Sequence, residues 1–446
     1  SDDFLACMTL RRVADNIILP NSSGYSAAIA DSWVSNVGAM PVAFYEPTTL
    51  TGVKGALKCA QQIGVGMCPR NGGHSKMGAG LCNGVVLDMF RINGTKVNTA
   101  GTIVTVYGGT VQGQLVYELA TFFNTTIPKF IPTGECPQVG ISGFMLGGGL
   151  TEFDGQYGIG CDNVRSYKIV LQNGTTRTVT KTAYPELYWG LCGGGGGQFG
   201  ITMQMTFSLF DRRPYDNNAY FRYDWPIEVA PDIIQMYSSW DLSGGTISMK
   251  LKSDFQVIPP VIRVFGVCWF VNSSQECDDR LMSIPLFGIN GSIHRFTQKG
   301  ANVLEVLQFL GKTGNYGQKV VPKRISIYDS FANQLFGAAS NSNSARWASV
   351  VLKYPTIPDR TFFLAIVNLC ANRNVVVCNW RRLGTSVPKF GTYSSFPWRD
   401  STNIFYIAVK NTPAVLSSLF STFYSIQTQY TTGAYVNYAS AFTPRI

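Results

Sequence analysis

Three glycine-rich stretches set the terms on which this chain can fold. They are RNGGHS at 70–75, GECPQVGISGFMLGGGLTEFDGQYGIGCDNV at 134–164 and YWGLCGGGGGQFGIT at 188–202. Glycine lets backbone amides come close to an anion or to the face of a flat ring, and it serves equally as plain turn chemistry. A lone Gly-Gly pair therefore says little, and a five-glycine run by itself reads as a flexible loop. The aromatic and apolar residues on either side of 193–197 argue instead for a buried run. His74, one of two histidines in the chain, has structural and functional readings of equal weight when taken alone. Cys136 stands just ahead of the second set of glycines and is a candidate for an unpaired cysteine.

Cysteine usage and surface motifs bear on the compartment. Eleven cysteines are an odd number, so at least one does something other than pair within the chain. Six Asn-Xaa-Ser/Thr sequons, at Asn21, Asn93, Asn124, Asn173, Asn272 and Asn290, beside those cysteines favour a secreted glycoprotein. Ser1 is read as following a removed signal peptide. Hydrophobic residues are 45% against 14% charged, which excludes wholesale disorder and a coiled coil. No run approaches the ~18 apolar residues of a membrane span; the most apolar strand, VIRVFGVCWFV, contains Arg263. The net charge of +10 is not gathered into a Lys/Arg cluster, so the pattern suits a basic secreted enzyme on an acidic matrix better than a nucleic-acid binder.

The 446 residues allow two or three domains of about 150 residues each. From Val42 to about Phe207 short strands alternate with helices. VAFYEP reads as a strand, Thr48 or Thr49 as the cap of the helix after it, and Val53, Ala56, Leu57, Ala60 and Ile63 as that helix's apolar face. VGMCPR, VVLDM and IVTVY read as strands, Val111, Leu115, Leu119 and Phe122 as one face of a second helix, and Asn173-Gly174 as a hairpin turn. After DRRP at 211–214, AYFRYDW, TISMKLKSDF and VIRVFGVCWFV read as strands of one larger sheet. NVLEVLQFL near 302–310 and PAVLSSLFSTFYSIQ read as helices, the latter with proline at a tolerated first-turn position. The last motif is GAYVNY at 433–438, a strand with two tyrosines that alone suits core packing.

Taken in order, R-x-G-G-H-S, G-x-C-P-x-V-G-x-x-G with its glycine triplet, FGIT and Y-x-N-Y resemble the FAD-linked oxidases of the berberine bridge enzyme type, within the vanillyl-alcohol oxidase superfamily. The resemblance runs from about Phe4 to Tyr438. It implies an α+β fold with a two-subdomain, PCMH-type FAD-binding domain over residues 1–210. A substrate domain, an antiparallel sheet backed by helices, then fills 211–400 and roofs the flavin. Residues 401–446 return to the FAD domain. It implies FAD bonded covalently through His74 to the 8α-methyl carbon and through Cys136 to ring carbon 6. The ten other cysteines are then free to form up to five disulfides, with Cys7–Cys59 expected by similarity to plant members.

By the same resemblance the cofactor is held by Arg70, Asn71, Gly72, Gly73, Ser75, Thr133, Gly134, Val139, Gly140, Gly143, Gly200, Ile201 and Asn437. Tyr438, with Tyr435 as second choice, is the expected base that takes the substrate's hydroxyl proton. Asp400 is either its partner or an exposed loop aspartate beside Arg399. Val139, three residues past the attachment cysteine, leaves room for dioxygen beside the flavin and predicts an oxidase. Lys76 stands where many relatives carry a tyrosine that lines the substrate pocket. It either binds an anionic group, stabilises reduced flavin, or points to solvent. Tyr406, Ala408 and Lys410 have no certain match to substrate-facing residues elsewhere, and the chain stops eight residues after Tyr438.

The function implied is that of a secreted oxidase acting on C1 of a reducing oligosaccharide, with dioxygen reduced to hydrogen peroxide and a lactone released. The alternatives are oxidation or oxidative cyclisation of an aromatic alcohol or alkaloid-type molecule, a dehydrogenase, or a secreted defence protein without turnover. The expected partners are the small substrate, dioxygen and N-glycans on a monomer, with no nucleic acid, no membrane span and no metal.

Overall fold

The computed structural model describes residues 1–33, 38–123, 129–240, 245–255, 258–300, 305–306, 309–310, 345–353, 357–383, 393–399, 401, 403–410, 413–427 and 430–433. The N-terminal part is built on two sheets. In the first, Val85–Asp88 lies parallel to both Ala43–Tyr45 and Met67–Arg70, and the short strand Ile17–Ile18 closes the edge. The run VVLD is buried along its whole length, as expected for a parallel strand covered on both faces. Helix Leu50–Gln62 joins two of these strands; the Thr49 side chain accepts from the Gly52 amide at 3.1 Å and so caps it. Val53, Ala56, Cys59 and Ala60 pack this helix onto Phe4 and Met8 of the first helix, Asp2–Leu10. The Cys7–Cys59 disulfide joins the two helices.

The second sheet is antiparallel, in the order Thr95–Val97, Ile103–Tyr107, Ile201–Ser208, Val164–Val170, Thr176–Val179. Its hairpin turns at Asn173-Gly174, where Gly174 takes φ +78°. Leu115 and Leu119 of helix Gln112–Phe122 lie in its core with Val104, Tyr167 and Phe207. Phe122, expected on that face, is exposed because it sits at the last position of the helix.

The larger sheet has eight antiparallel strands, in the order His294–Lys299, Asn218–Pro226, Val261–Trp269, Ile247–Asp254, Val375–Arg382, Asn403–Lys410, Ala345–Leu352, Thr431–Gly433. The two-residue period sorts its faces. Phe405, Ile407 and Val409 join the core built with helices Ala230–Ser239, Ser274–Met282, Arg360–Cys370 and Pro413–Gln427. Ile404, Tyr406 and Ala408 point the other way, onto Leu150, Ile159 and Phe396 of the N-terminal side.

The α+β class and the helix-backed antiparallel sheet are therefore present as expected. Of the segment 401–446 expected to return to the FAD domain, residues 434–446 lie outside the described residues. Residues 403–410 and 431–433 are strands of the eight-stranded sheet, and strand 403–410 finds partners on both sides there, Val375–Arg382 and Ala345–Leu352. The loop before it also leans on the N-terminal part, through Phe396, Ser394–Cys192 and the two-toothed Arg399–Asp162 pair at 2.7 Å.

Five disulfides close the described cysteines, Cys7–Cys59, Cys68–Cys82, Cys161–Cys192, Cys268–Cys277 and Cys370–Cys378, and Cys136 stands outside them. Asn21, Asn93, Asn173, Asn272 and Asn290 are all exposed, and Asn124 lies outside the described residues. No helix among the described residues is long and apolar enough to cross a membrane.

Candidate active site

The strand Met67–Arg70 delivers the chain into the loop that carries His74. Arg70 ends the strand with its guanidinium sunk into the fold: it pairs with Asp88 at 2.6 Å, donates to the Ala28 carbonyl at 2.6 Å and to Ser32 Oγ at 3.1 Å, and stacks over Phe44. The next residues must pass directly against the second loop. A Cβ on Gly72 would sit 2.4 Å from the Gln138 carbonyl oxygen and the Gly140 nitrogen, and one on Gly140 would sit 2.4 Å from Asn71 Cγ. Gly73 takes φ +65° beneath the Asp31 carbonyl. Asn71 donates to Ser142 Oγ at 2.7 Å, and Ser142 donates to the Gly108 carbonyl at 2.7 Å. These contacts bring the first two glycine-rich stretches into one wall.

A cavity of about 380 Å³ lies against that wall. Its floor is Asn71, Gly72, Gly73, His74, Ser75, Lys76, Gly134, Cys136, Val139, Gly140 and Gly143, joined by Gly195, Gly196, Gly197 and Gly200 of the third stretch. Its roof is Lys250, Arg381, Ile404 and Tyr406 from the eight-stranded sheet. Twelve of the residues singled out from the sequence thus meet in one place. Arg70 reaches the cavity's edge, with its guanidinium paired to Asp88. Thr133 and Ile201 are buried behind the wall, Ile201 in the core of the first sheet. Asp400, Tyr435, Asn437 and Tyr438 lie outside the described residues.

The site is dry and its ionisable groups are displaced accordingly. Desolvation, with help from the Lys76 charge, holds the partly buried His74 well below the usual histidine range, so its imidazole is neutral. Burial pushes the Cys136 thiol up, opposed by Lys76. Lys76 does not point to solvent: it is buried, with its Nζ 3.1 Å from the centre of the Trp33 ring. Trp33 in turn packs 4.3 Å from the His74 ring. Desolvation lowers the Lys76 amine to about 7.

Lys250 forms a buried ion cluster with Glu135, next to the cysteine, and with Glu152 at 2.7 Å; Arg381 adds contacts of 3.3 Å to Glu152 and to Asp154. Lys250, Arg381, Gln112 and Trp33 went unnoticed in the sequence because no motif contains them, and Glu135 because it fills the variable position of G-x-C-P. The one visible signal was the lysine pair 250 and 252 inside the otherwise apolar strand TISMKLKSDF. The Cys161, Asp162, Cys192 group is no metal site, since its sulfurs are joined and its carboxylate is held by Arg399.

The cavity suits a flat, amide-edged ring. Both amide atoms of buried Gln112, Asn71 Oδ1 and Thr202 Oγ1 lack a hydrogen-bond partner among the described residues and belong to residues of its lining. A Cβ placed on Gly143 would meet nothing within 4 Å, so open space adjoins the backbone there. The donors and acceptors match the polar edge of an isoalloxazine.

Comparison with known proteins agrees. Residues 41–180 match the FAD binding domain family. FAD-dependent monooxygenase FUP4 of Fusarium proliferatum (strain ET1) is 33% identical over 166 residues, 36% of this chain and 30% of that protein. A xylooligosaccharide oxidase of Thermothelomyces thermophilus is 29% identical over 211 residues, 46% of this chain and 41% of that protein. The aligned part of the chain thus spans less than half of each of these relatives. In structure, Physcomitrella patens BBE-like 1 superposes with a TM-score of 0.81 at 24% identity, over 99% of this chain and 92% of that one. The chain thus carries an FAD binding domain over residues 41–180 and shares its fold from end to end with Physcomitrella patens BBE-like 1.

Proposed function

We propose that this protein is a secreted oxidase that removes hydride from an alcohol or hemiacetal carbon, C1 of a reducing oligosaccharide, using FAD bonded to His74 and Cys136. The observation that carries the reading is the single cavity whose floor holds both attachment residues and whose roof is supplied by a separate, helix-backed sheet. Bound FAD supplies a hydride acceptor whose electrons pass on to dioxygen, giving peroxide and a lactone. His74, kept neutral, offers a nitrogen lone pair to the ring, and Cys136 offers its sulfur. Gln112, Asn71 and Thr202 hold the polar edge, and the open space beside Gly143 admits the ring. Val139 forms the wall beside Cys136 with a side chain small enough to leave dioxygen a path.

On the substrate side, a tyrosine takes the hydroxyl proton. Tyr438 or Tyr435, with Asp400 as partner, fills that role by resemblance. Tyr406 is the one tyrosine among the described residues lining the cavity, and its hydroxyl accepts from Asn379 at 3.3 Å, which orients it toward the same work. The likeness to a xylooligosaccharide oxidase supports a sugar substrate. The second reading, oxidation or ring closure of an aromatic alcohol or alkaloid, draws on Lys76, which gives the floor a buried cation. Peroxide release from purified protein offered reducing oligosaccharides and aromatic alcohols side by side tests the choice. Turnover of the sugars with dioxygen is the expected result. Turnover of aromatic alcohols alone, or of any donor only with an artificial electron acceptor, would overturn it.

A further inference from the structure

Lys76 is a buried amine that the proposed oxidation does not use. It lines the same cavity floor as Cys136, and the two groups lie close enough that each perturbs the other's protonation. Around it stand Trp33, whose ring face receives the Nζ, and His74, stacked on that same ring. On the far side of Cys136 the charges are internally matched, with Glu135 and Glu152 on Lys250. The groups beside the lysine include a neutral imidazole, a thiol and an aromatic face.

That arrangement bears on a chemical problem the cavity creates. A thiol adds to an electrophilic ring carbon as thiolate, and burial here opposes ionisation of Cys136. We propose that Lys76 is the base that closes the cysteinyl tether, taking the Cys136 thiol proton as the sulfur attacks FAD. The S–H bond breaks and an N–H bond forms on Nζ. The sulfur lone pair makes the S–C6 bond, the hydrogen on C6 leaves as a proton, and the two electrons reduce the flavin. Dioxygen then reoxidises the flavin and becomes hydrogen peroxide. The Trp33 face suits this role because it stabilises the ammonium that the transfer creates. An amine lowered to about 7 is largely neutral, and so able to accept a proton, in mildly alkaline surroundings.

The inference rests on the bicovalent reading above, and one experiment separates the two. Purified wild-type protein and its Lys76→Met, Lys76→Gln and Lys76→Arg variants are digested. Mass spectrometry then reads flavin on the peptide containing His74 and on the peptide containing Cys136. Wild type is expected to carry flavin on both. The variants are expected to keep the His74 bond while forming the Cys136 bond at least about 100-fold more slowly, the usual worth of a general base. Arginine is included because it keeps the charge but does not give up its proton to become a base. Raising the pH should speed formation of the Cys136 bond in aerobic Lys76→Met and Lys76→Gln by increasing the thiolate fraction, a rescue that a packing defect would not show. Full tethering in any variant at neutral pH, or no rescue at high pH, overturns the role of Lys76. A wild-type Cys136 peptide without flavin overturns the bicovalent reading itself.

Discussion

Replacing Asp88 by asparagine tests how the flavin-facing loop is anchored. Asp88 is fully buried and Arg70 nearly so, and both Arg70 Nε and Nη2 donate to the same carboxylate oxygen, Oδ2, at 3.2 and 2.6 Å. The other oxygen accepts from the Phe90 amide at 3.2 Å, a contact asparagine retains. The substitution thus removes the charge and turns the acceptor of both Arg70 hydrogen bonds into an amide donor. It strands a guanidinium whose remaining described partners are the Ala28 carbonyl and Ser32 Oγ. Breaking a buried ion pair from one side costs about 3–5 kcal/mol, or roughly two to three and a half orders of magnitude in the folding equilibrium. Urea unfolding followed by the fluorescence of buried Trp33 reads that loss as a lower midpoint. Flavin content should fall with it, because residues 71–74 continue directly from Arg70. The double variant Arg70→Met, Asp88→Leu, which removes both charges, should recover most of the stability. A cost below about 1 kcal/mol for Asp88→Asn, or a double variant as weak as the single, would refute this account of the anchor.

Further outcomes follow from the same geometry. Gly143→Ala fills open space, so it should fold with unchanged or higher melting temperature yet retain little FAD; a normal flavin spectrum would contradict the placing of the ring beside Gly143. Gly72→Ala places a Cβ against backbone on both sides, and should lower both the melting temperature and flavin content. Lys76 holds its proton less tightly in the folded state, at about 7 against 10.5 unfolded. The unfolded chain therefore binds more protons across that window, and the lysine makes stability rise as pH climbs from 7 toward 10. Lys76→Met should lack that slope in parallel urea titrations, and equal slopes would contradict the burial. Glu135→Ala should cost about 1–3 kcal/mol and loosen the Cys136 loop, since Lys250 then keeps Glu152 alone; an unchanged urea midpoint would argue against the cluster.

Much of the N-terminal architecture was legible because its signals are local. Thr49 caps its helix by its own hydroxyl, Asn173-Gly174 carries its own turn, and VVLD declares a strand covered on both faces. His74 and Cys136 were legible as a pair because the glycines around them are needed where two loops touch. Lys250 and Arg381 were not, because what makes them part of the cavity is the stacking of a distant sheet over it. The buried pair of Arg70 with Asp88, eighteen positions away, was not legible either, because no local pattern joins the two. Strand 403–410 has the same apolar alternation whichever sheet it joins, and only its partners decide.

The account's central claim is that one cavity holds FAD by two covalent bonds. Acid precipitation of the purified protein, with absorbance read in pellet and supernatant, tests it most directly. The yellow colour should stay in the pellet for wild type and for either single variant, Cys136→Ala or His74→Ala, and should leave it only when both residues are replaced. Flavin released into the supernatant from the wild-type protein, or colour retained by the double variant, would contradict the claim.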